Sequence, residues 1–138
     1  MNKRILVVED NLLNLELVAD LLEAAGFIVC RAHTAEEGLR AARELSPDLI
    51  LMDLSLPGLD GLAATRTLRA DPATCHLTII ALTAHAMKGD EALALGAGCN
   101  GYMTKPIDTR TFAAKVAAFI AAADSRLTEP QNLCQYAN

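Results

Sequence analysis

Apolar and polar positions along this 138-residue chain fall into two recurring styles. One is a short, largely apolar run: Ile5–Val8, Phe27–Cys30, Leu49–Met52, Thr78–Leu82 and the briefer Gly101–Met103. Runs this short read as strands, and unbroken ones as strands buried on both faces, as in a parallel sheet. The other style is a stripe spaced three and four residues apart, the signature of an amphipathic helix. Leu15, Val18, Ala19 and Leu22 form the first stripe, stopped by Gly26. Thr34 with Glu37 has the form of a capping box, and Ala35, Leu39, Ala42 and Leu45 follow on one face before Pro47. A third helix is expected after Gly61, to about Ala70, with Leu62, Thr65 and Leu68 inward and Asp71-Pro72 as its break. A weaker one is expected from about Lys88 to Leu95, because Gly89 lies within it. The last begins with Asp108 as N-cap and shows Phe112, Val116, Phe119, Ile120 and Ala123.

Five strands alternating with five helices define an α/β fold. Each crossover contains a helix, so the strands lie parallel, with helices on both faces and right-handed connections. The expected strand order is 2-1-3-4-5, which places a ligand crevice at the carboxyl ends of strands 1 and 3.

Composition narrows the class. At 138 residues, 52% hydrophobic and 21% charged, the chain is one globular domain that needs no metal or disulfide staple. A net charge of -5 argues against a nucleic-acid partner. Cys30, Cys75, Cys99 and Cys134 form no C-x-x-C pair, so free thiols and a cytoplasmic setting are expected. The start has only four apolar residues before Glu9, too few for a leader or membrane span. From Asp124 the composition turns polar, so residues 1–123 are expected to form the domain and 124–138 a tail.

The chemistry gathers where the pattern puts the crevice. Leu49–Met52 ends in Asp53, and Pro57, Gly58 and Gly61 turn the chain after it. Strand 1 ends in Glu9-Asp10. Asp10 or Asn11 alone reads as a helix cap, and Asp53 alone as a loop anchor. Three carboxylates in one crevice repel one another unless a cation joins them, and Mg²⁺ with its retained waters suits such a set. Thr83 ends strand 4 and Lys105 ends strand 5. A hydroxyl and a point cation suit the oxygens of a phosphoryl group on Asp53, although each alone is equally a cap or a surface lysine. Pro106 would fix the loop after Lys105 through a cis bond.

Four stretches then carry a resemblance: Val8-Glu9-Asp10-Asn11, Leu51-Met52-Asp53-Leu54 with Leu56-Pro57-Gly58, Leu82-Thr83-Ala84, and Tyr102-Met103-Thr104-Lys105-Pro106. Over about residues 3–123 the chain resembles the receiver domain of two-component response regulators, whose fold is a flavodoxin-like three-layer sandwich. The resemblance implies that Asp53 is the phosphoacceptor, with Glu9, Asp10, Asp53 and the backbone carbonyl of Ser55 around Mg²⁺. It implies that Thr83 and Lys105 bind phosphoryl oxygens, and that Thr83 and Tyr102 form a switch; Tyr102 alone reads equally as a half-buried strand residue. The implied partner is a histidine kinase or histidine phosphotransfer protein, with a second copy of the chain on the helix 4–strand 5–helix 5 face as another. The stretch 83–91 looks like stand-alone receivers that act on histidine kinases, and equally like receivers of hybrid kinases. Met87 and His85 would together face a kinase, although either alone reads better as part of a solvated loop, while Ser55 and His85 sit where the family tunes phosphate lifetime. The tail is expected to hold no output domain.

Three other classes compete. A Mg²⁺-dependent phosphatase or phosphotransferase would use Asp53 as transient nucleophile, but its D-x-D motif at the first strand is missing. A flavin binder on the same strand order needs hydroxyls and glycines where Glu9-Asp10-Asn11 stands. An adaptor would dock without phosphorylation. The resemblance favours a signalling domain with no separate turnover substrate.

Overall fold

A computed structural model describes residues 3–54, 61–83, 88–105 and 107–126. The elements are β1 (Arg4–Val8), α1 (Leu12–Ala24), β2 (Ile28–Ala32), α2 (Ala35–Leu45), β3 (Leu49–Asp53), α3 (Gly61–Ala70), β4 (Ile79–Thr83), α4 (Lys88–Ala97), β5 (Gly101–Thr104) and α5 (Phe112–Arg126). They form one five-stranded parallel sheet in the order β2-β1-β3-β4-β5, as the alternation predicts. Among the described residues, no helix is long and apolar enough to cross a membrane.

The sheet separates two apolar cores because successive strand residues face opposite sides. Leu6, Val8, Ile50, Met52, Ile79 and Ala81 point one way, into a core shared with Ala35, Ala42, Ala64, Leu68 and Ala94 of α2, α3 and α4. Ile5, Val7, Leu49, Leu51, Ile80 and Leu82 point the other way, against Leu15, Val18 and Leu22 of α1 and Phe112, Val116 and Ile120 of α5. β3 is central and buried along its whole length, which carries the carboxylate of Asp53 inside.

Several boundaries differ from the pattern. β2 runs two residues past Cys30, to Ala32. Arg31 resembles a strand end by composition, but on this edge strand its guanidinium reaches outward to Glu16 and Glu23 of α1. In α2 the buried positions are Ala35, Gly38 and Ala42, while Leu39 and Leu45 are half-buried. Gly38 has no side chain to register in a hydrophobic pattern, yet it is where the helix meets Val8. In α3, Leu62 is half-buried and Arg69 is buried. α5 starts at Phe112, not just after Asp108. Asp108 closes the preceding turn, its carboxylate accepting from Arg110 N at 3.0 Å and its carbonyl from Phe112 N at 3.0 Å. α5 also continues through Asp124 to Arg126. Cys30 and Cys99 are free thiols, but Cys75 is disulfide-bonded, against the expectation of free thiols. Spacing excludes only local pairs such as C-x-x-C and is silent on distant ones.

Ser55, the Pro57-Gly58 turn, His85, Met87, the Pro106 bond and the chain beyond Arg126 lie outside the described residues.

Candidate functional site

Parallel strands all deliver their carboxyl ends to one rim. β1 hands over to Glu9, whose N–H donates to Ala32 O of β2 at 3.0 Å. β3 ends in Asp53, β4 in Thr83, and Lys105 directly follows β5, donating its N–H to Thr83 O at 2.7 Å. The five side chains expected at the rim therefore arrive from four strands that are adjacent in space and far apart in sequence.

Glu9, Asp10 and Asp53 each offer a carboxylate oxygen within 4.8 Å of the others. Glu9 and Asp53 are buried, and Asp10 is exposed. Asn11, not Asp10, caps α1: its Oδ1 accepts from Asn14 N at 3.1 Å. Asp10 thus has no capping duty to explain it. Glu9 Oε2 accepts from Asn11 N at 3.3 Å, which fixes its carboxylate across the start of the helix.

Lys105 reaches into this acidic set. Its Nζ lies 2.7 Å from Glu9 Oε1 and 3.3 Å from Asp53 Oδ2. One ammonium therefore spans two buried acids. Burial, followed by the hydrogen bond to Asp53, pushes Glu9 up from 4.5 to about 7, while Lys105 works in the opposite direction. For Lys105, burial lowers the pKa, but the hydrogen bond it donates to Glu9 and the charges of Asp53 and Glu9 outweigh it and raise the group overall. Two buried acids with one cation are short of positive charge, and a hard divalent ion with oxygen ligands supplies what is missing. The donor set fits Mg²⁺: carboxylate oxygens only, one of them open to water.

Thr83 is buried at the end of β4, paired with Thr104 across the ladder. Tyr102 pairs with Ala81 of β4 and is half-buried against the core beneath α2, α3 and α4. It also lines a groove of about 760 Å³ between β5 and α5, with Ile107, Phe112, Lys115 and Phe119.

The Lys105–Glu9 contact was not legible in the sequence, where Lys105 was expected only to meet phosphoryl oxygens. Arg69 was missed altogether. It is buried and donates to Gly98 O at 2.8 Å, Cys75 O at 2.9 Å, Leu77 O at 2.5 Å and Asn100 Oδ1 at 2.7 Å. An arginine in the last turn of a helix reads as a surface cation that favours the macrodipole, and no local signal marks this one as interior.

The sequence model of the response regulator receiver domain matches residues 5–117. The chain is 43% identical over 123 residues to the polar-differentiation response regulator DivK of Brucella ovis, a match covering 89% of this chain and 100% of the relative. It is similar to the receiver domain of a sensor histidine kinase from Pseudomonas aeruginosa, described with a magnesium ion coordinated in the active-site cleft. That likeness has 36% identity and a TM-score of 0.80, over 88% of this chain and 99% of the other. A CheY-like receiver domain protein from Methanospirillum hungatei has a TM-score of 0.82 at 28% identity, over 91% and 99% of the two chains. An acidic rim built on this strand order, in a chain matched along most of its length, leaves one conclusion: the protein belongs to the response regulator receiver domains of two-component signalling.

Proposed function

We propose that the protein is a phosphorylation switch in which Asp53 accepts a phosphoryl group from a phosphohistidine. The observation that carries this reading is the convergence of Glu9, Asp10 and Asp53 within 4.8 Å, with Lys105 Nζ 3.3 Å from Asp53 Oδ2. In the transfer, an oxygen of the Asp53 carboxylate forms the new O–P bond while the donor's N–P bond breaks. The imidazole leaves with the bonding pair. Attack by a carboxylate needs no general base, because no proton has to leave the nucleophile. Glu9, Asp10, Asp53 and the Ser55 carbonyl would hold Mg²⁺, which when bound neutralises charge on the transferring group. Lys105 exchanges its carboxylate contacts for a phosphoryl oxygen, and Thr83 donates its hydroxyl to another. Most of the rate comes from holding these groups in place, as is general for phosphoryl transfer.

Tyr102 is the readout. A hydroxyl drawn toward the new phosphate withdraws Thr83 from its resting place, and Tyr102 moves with it. The groove beside Tyr102 then changes shape on the α4–β5–α5 face. A coupling of roughly 1–3 kcal/mol between the two events alters partner affinity several-fold or more. The phosphodonor is a histidine kinase or histidine phosphotransfer protein, and a second copy of the chain is a candidate for the switched face. No small substrate turns over, so the protein acts as a signal carrier and not as an enzyme in its own right.

The test is incubation with acetyl phosphate and Mg²⁺, followed by intact mass measurement. One phosphoryl addition is expected, absent without Mg²⁺ and absent in Asp53→Asn. An unchanged mass in the native protein, or an equal addition in Asp53→Asn, would refute the assignment.

A further inference from the structure

We propose that Gly61 is a positioning residue for phosphoryl transfer: its missing side chain seats α3 directly on the backbone of Asp53 and Leu54, and this seat sets where the Asp53 carboxylate stands. The proposal rests on Asp53 being the phosphoacceptor.

Gly61 is the first residue of α3 and is buried. A Cβ at this position would run into the carbonyl oxygen of Asp53, and would lie 2.9 Å from Leu54 Cα and 3.1 Å from the Asp53 carbonyl carbon. The other crowded glycines of the described chain meet side chains instead: Gly38 meets Val8, Gly98 meets Arg69 and Gly101 meets Phe119. Gly61 alone among them meets main chain. Its φ is not in the left-handed region, which among the described glycines holds only Gly26 and Gly98. Space, not conformational freedom, is therefore what the glycine provides.

Neither side of the contact can give way cheaply. Asp53 pairs with Leu82 in the central strand, and Leu54 N donates to Leu82 O at 3.0 Å. On the helix side, Thr65 Oγ1 donates to Gly61 O at 2.8 Å and lies 3.8 Å from Cys99 Sγ. One turn further, Arg69 fastens the same face of α3 to Gly98, Cys75, Leu77 and Asn100. Gly61, Thr65 and Arg69 are four residues apart, so they form one stripe along the helix. A methyl group between two fixed backbones is relieved only by moving one of them, and the main chain of Asp53 is what it would meet first. Displacement of a reacting group by about 1 Å is enough to cost on the order of a hundredfold in rate.

The experiment compares the full native chain with Gly61→Ala, and with Leu68→Ala as a control for stability alone. Leu68 is buried on the same helix but is not among the atoms a Gly61 side chain would meet. Melting temperature, Mg²⁺ dissociation constant and the rate of acyl-phosphate formation from acetyl phosphate are measured on each. Gly61→Ala is expected to stay folded, to bind Mg²⁺ several-fold more weakly and to form acyl phosphate at least tenfold more slowly per folded molecule. Leu68→Ala is expected to melt earlier while keeping the native rate and Mg²⁺ affinity. Native rate and affinity in Gly61→Ala, or losses matched by Leu68→Ala at equal folded fraction, would overturn the proposal. If Gly61→Ala does not fold, Thr65→Val decides, since it releases the tie on Gly61 O without adding bulk. A threefold or greater slowing there supports the proposal, and a native rate overturns it. Should the native chain itself form no acyl phosphate, the phosphoacceptor reading fails and the transfer role of Gly61 with it, and the Mg²⁺ dissociation constants of the same variants decide only whether Gly61 sets the position of the Asp53 carboxylate.

Discussion

Replacing Glu9 by glutamine removes one titrating proton from the rim while keeping the shape of the side chain. In the Mg²⁺-free protein Glu9 is raised from 4.5 to about 7, first by burial and then by its hydrogen bond to Asp53. The folded state therefore holds this proton more tightly than the unfolded chain does. The resulting stability is fully present below about pH 4.5 and is lost as the pH rises through about 7. At 1.36 kcal/mol per pH unit, that displacement sets a ceiling of roughly 3 kcal/mol, a large part of a typical domain stability of about 5–15 kcal/mol. Mg²⁺ competes with the same proton, so its apparent affinity falls by up to about tenfold per pH unit below 7. The assay is urea unfolding of native protein and Glu9→Gln between about pH 5 and 8, in EDTA and in excess Mg²⁺. In EDTA the native protein is expected to lose about 2 kcal/mol more than Glu9→Gln across that range, and Mg²⁺ to restore most of the difference. Parallel pH profiles in EDTA, within about 0.5 kcal/mol, would refute the argument that burial of Glu9 leaves the rim short of positive charge.

Lys105→Met removes the cation that spans Glu9 and Asp53. It is expected to tighten Mg²⁺ binding by about tenfold, because a competing charge is gone, while slowing acyl-phosphate formation by a hundredfold or so. Calorimetric titration and the intact-mass time course read the two directions separately, and a fall in both would contradict the assignment. Arg69→Met leaves the carbonyls of Cys75, Leu77 and Gly98 short of a buried donor. At about 1–3 kcal/mol for each orphaned group, with partial relaxation, a loss of roughly 3–5 kcal/mol is expected in urea melts. A loss under about 1 kcal/mol would mean that water replaces the guanidinium.

Sequence alone determined the fold and the membership of the rim. Unbroken runs such as Leu49–Met52 can only be satisfied between two apolar layers, and strands separated by helical stripes can only be parallel. Once the strands are parallel, residues at their carboxyl ends share one rim however distant they are along the chain. This is why Glu9, Asp10, Asp53, Thr83 and Lys105 were legible together. Local pattern could not give the contacts made across elements. The ammonium of Lys105 settles between Glu9 and Asp53 because the β1, β3 and β5 ends meet in three dimensions, and no spacing records that distance. Arg69 is interior because three carbonyls from two connections converge on it, although its own stretch reads as surface. Gly61 is read from sequence as a turn residue, yet what it provides is room for a helix to touch the backbone of Asp53. Periodicity reports which face of an element is buried. Only the packed structure decides what that face meets, because the answer is supplied by other elements.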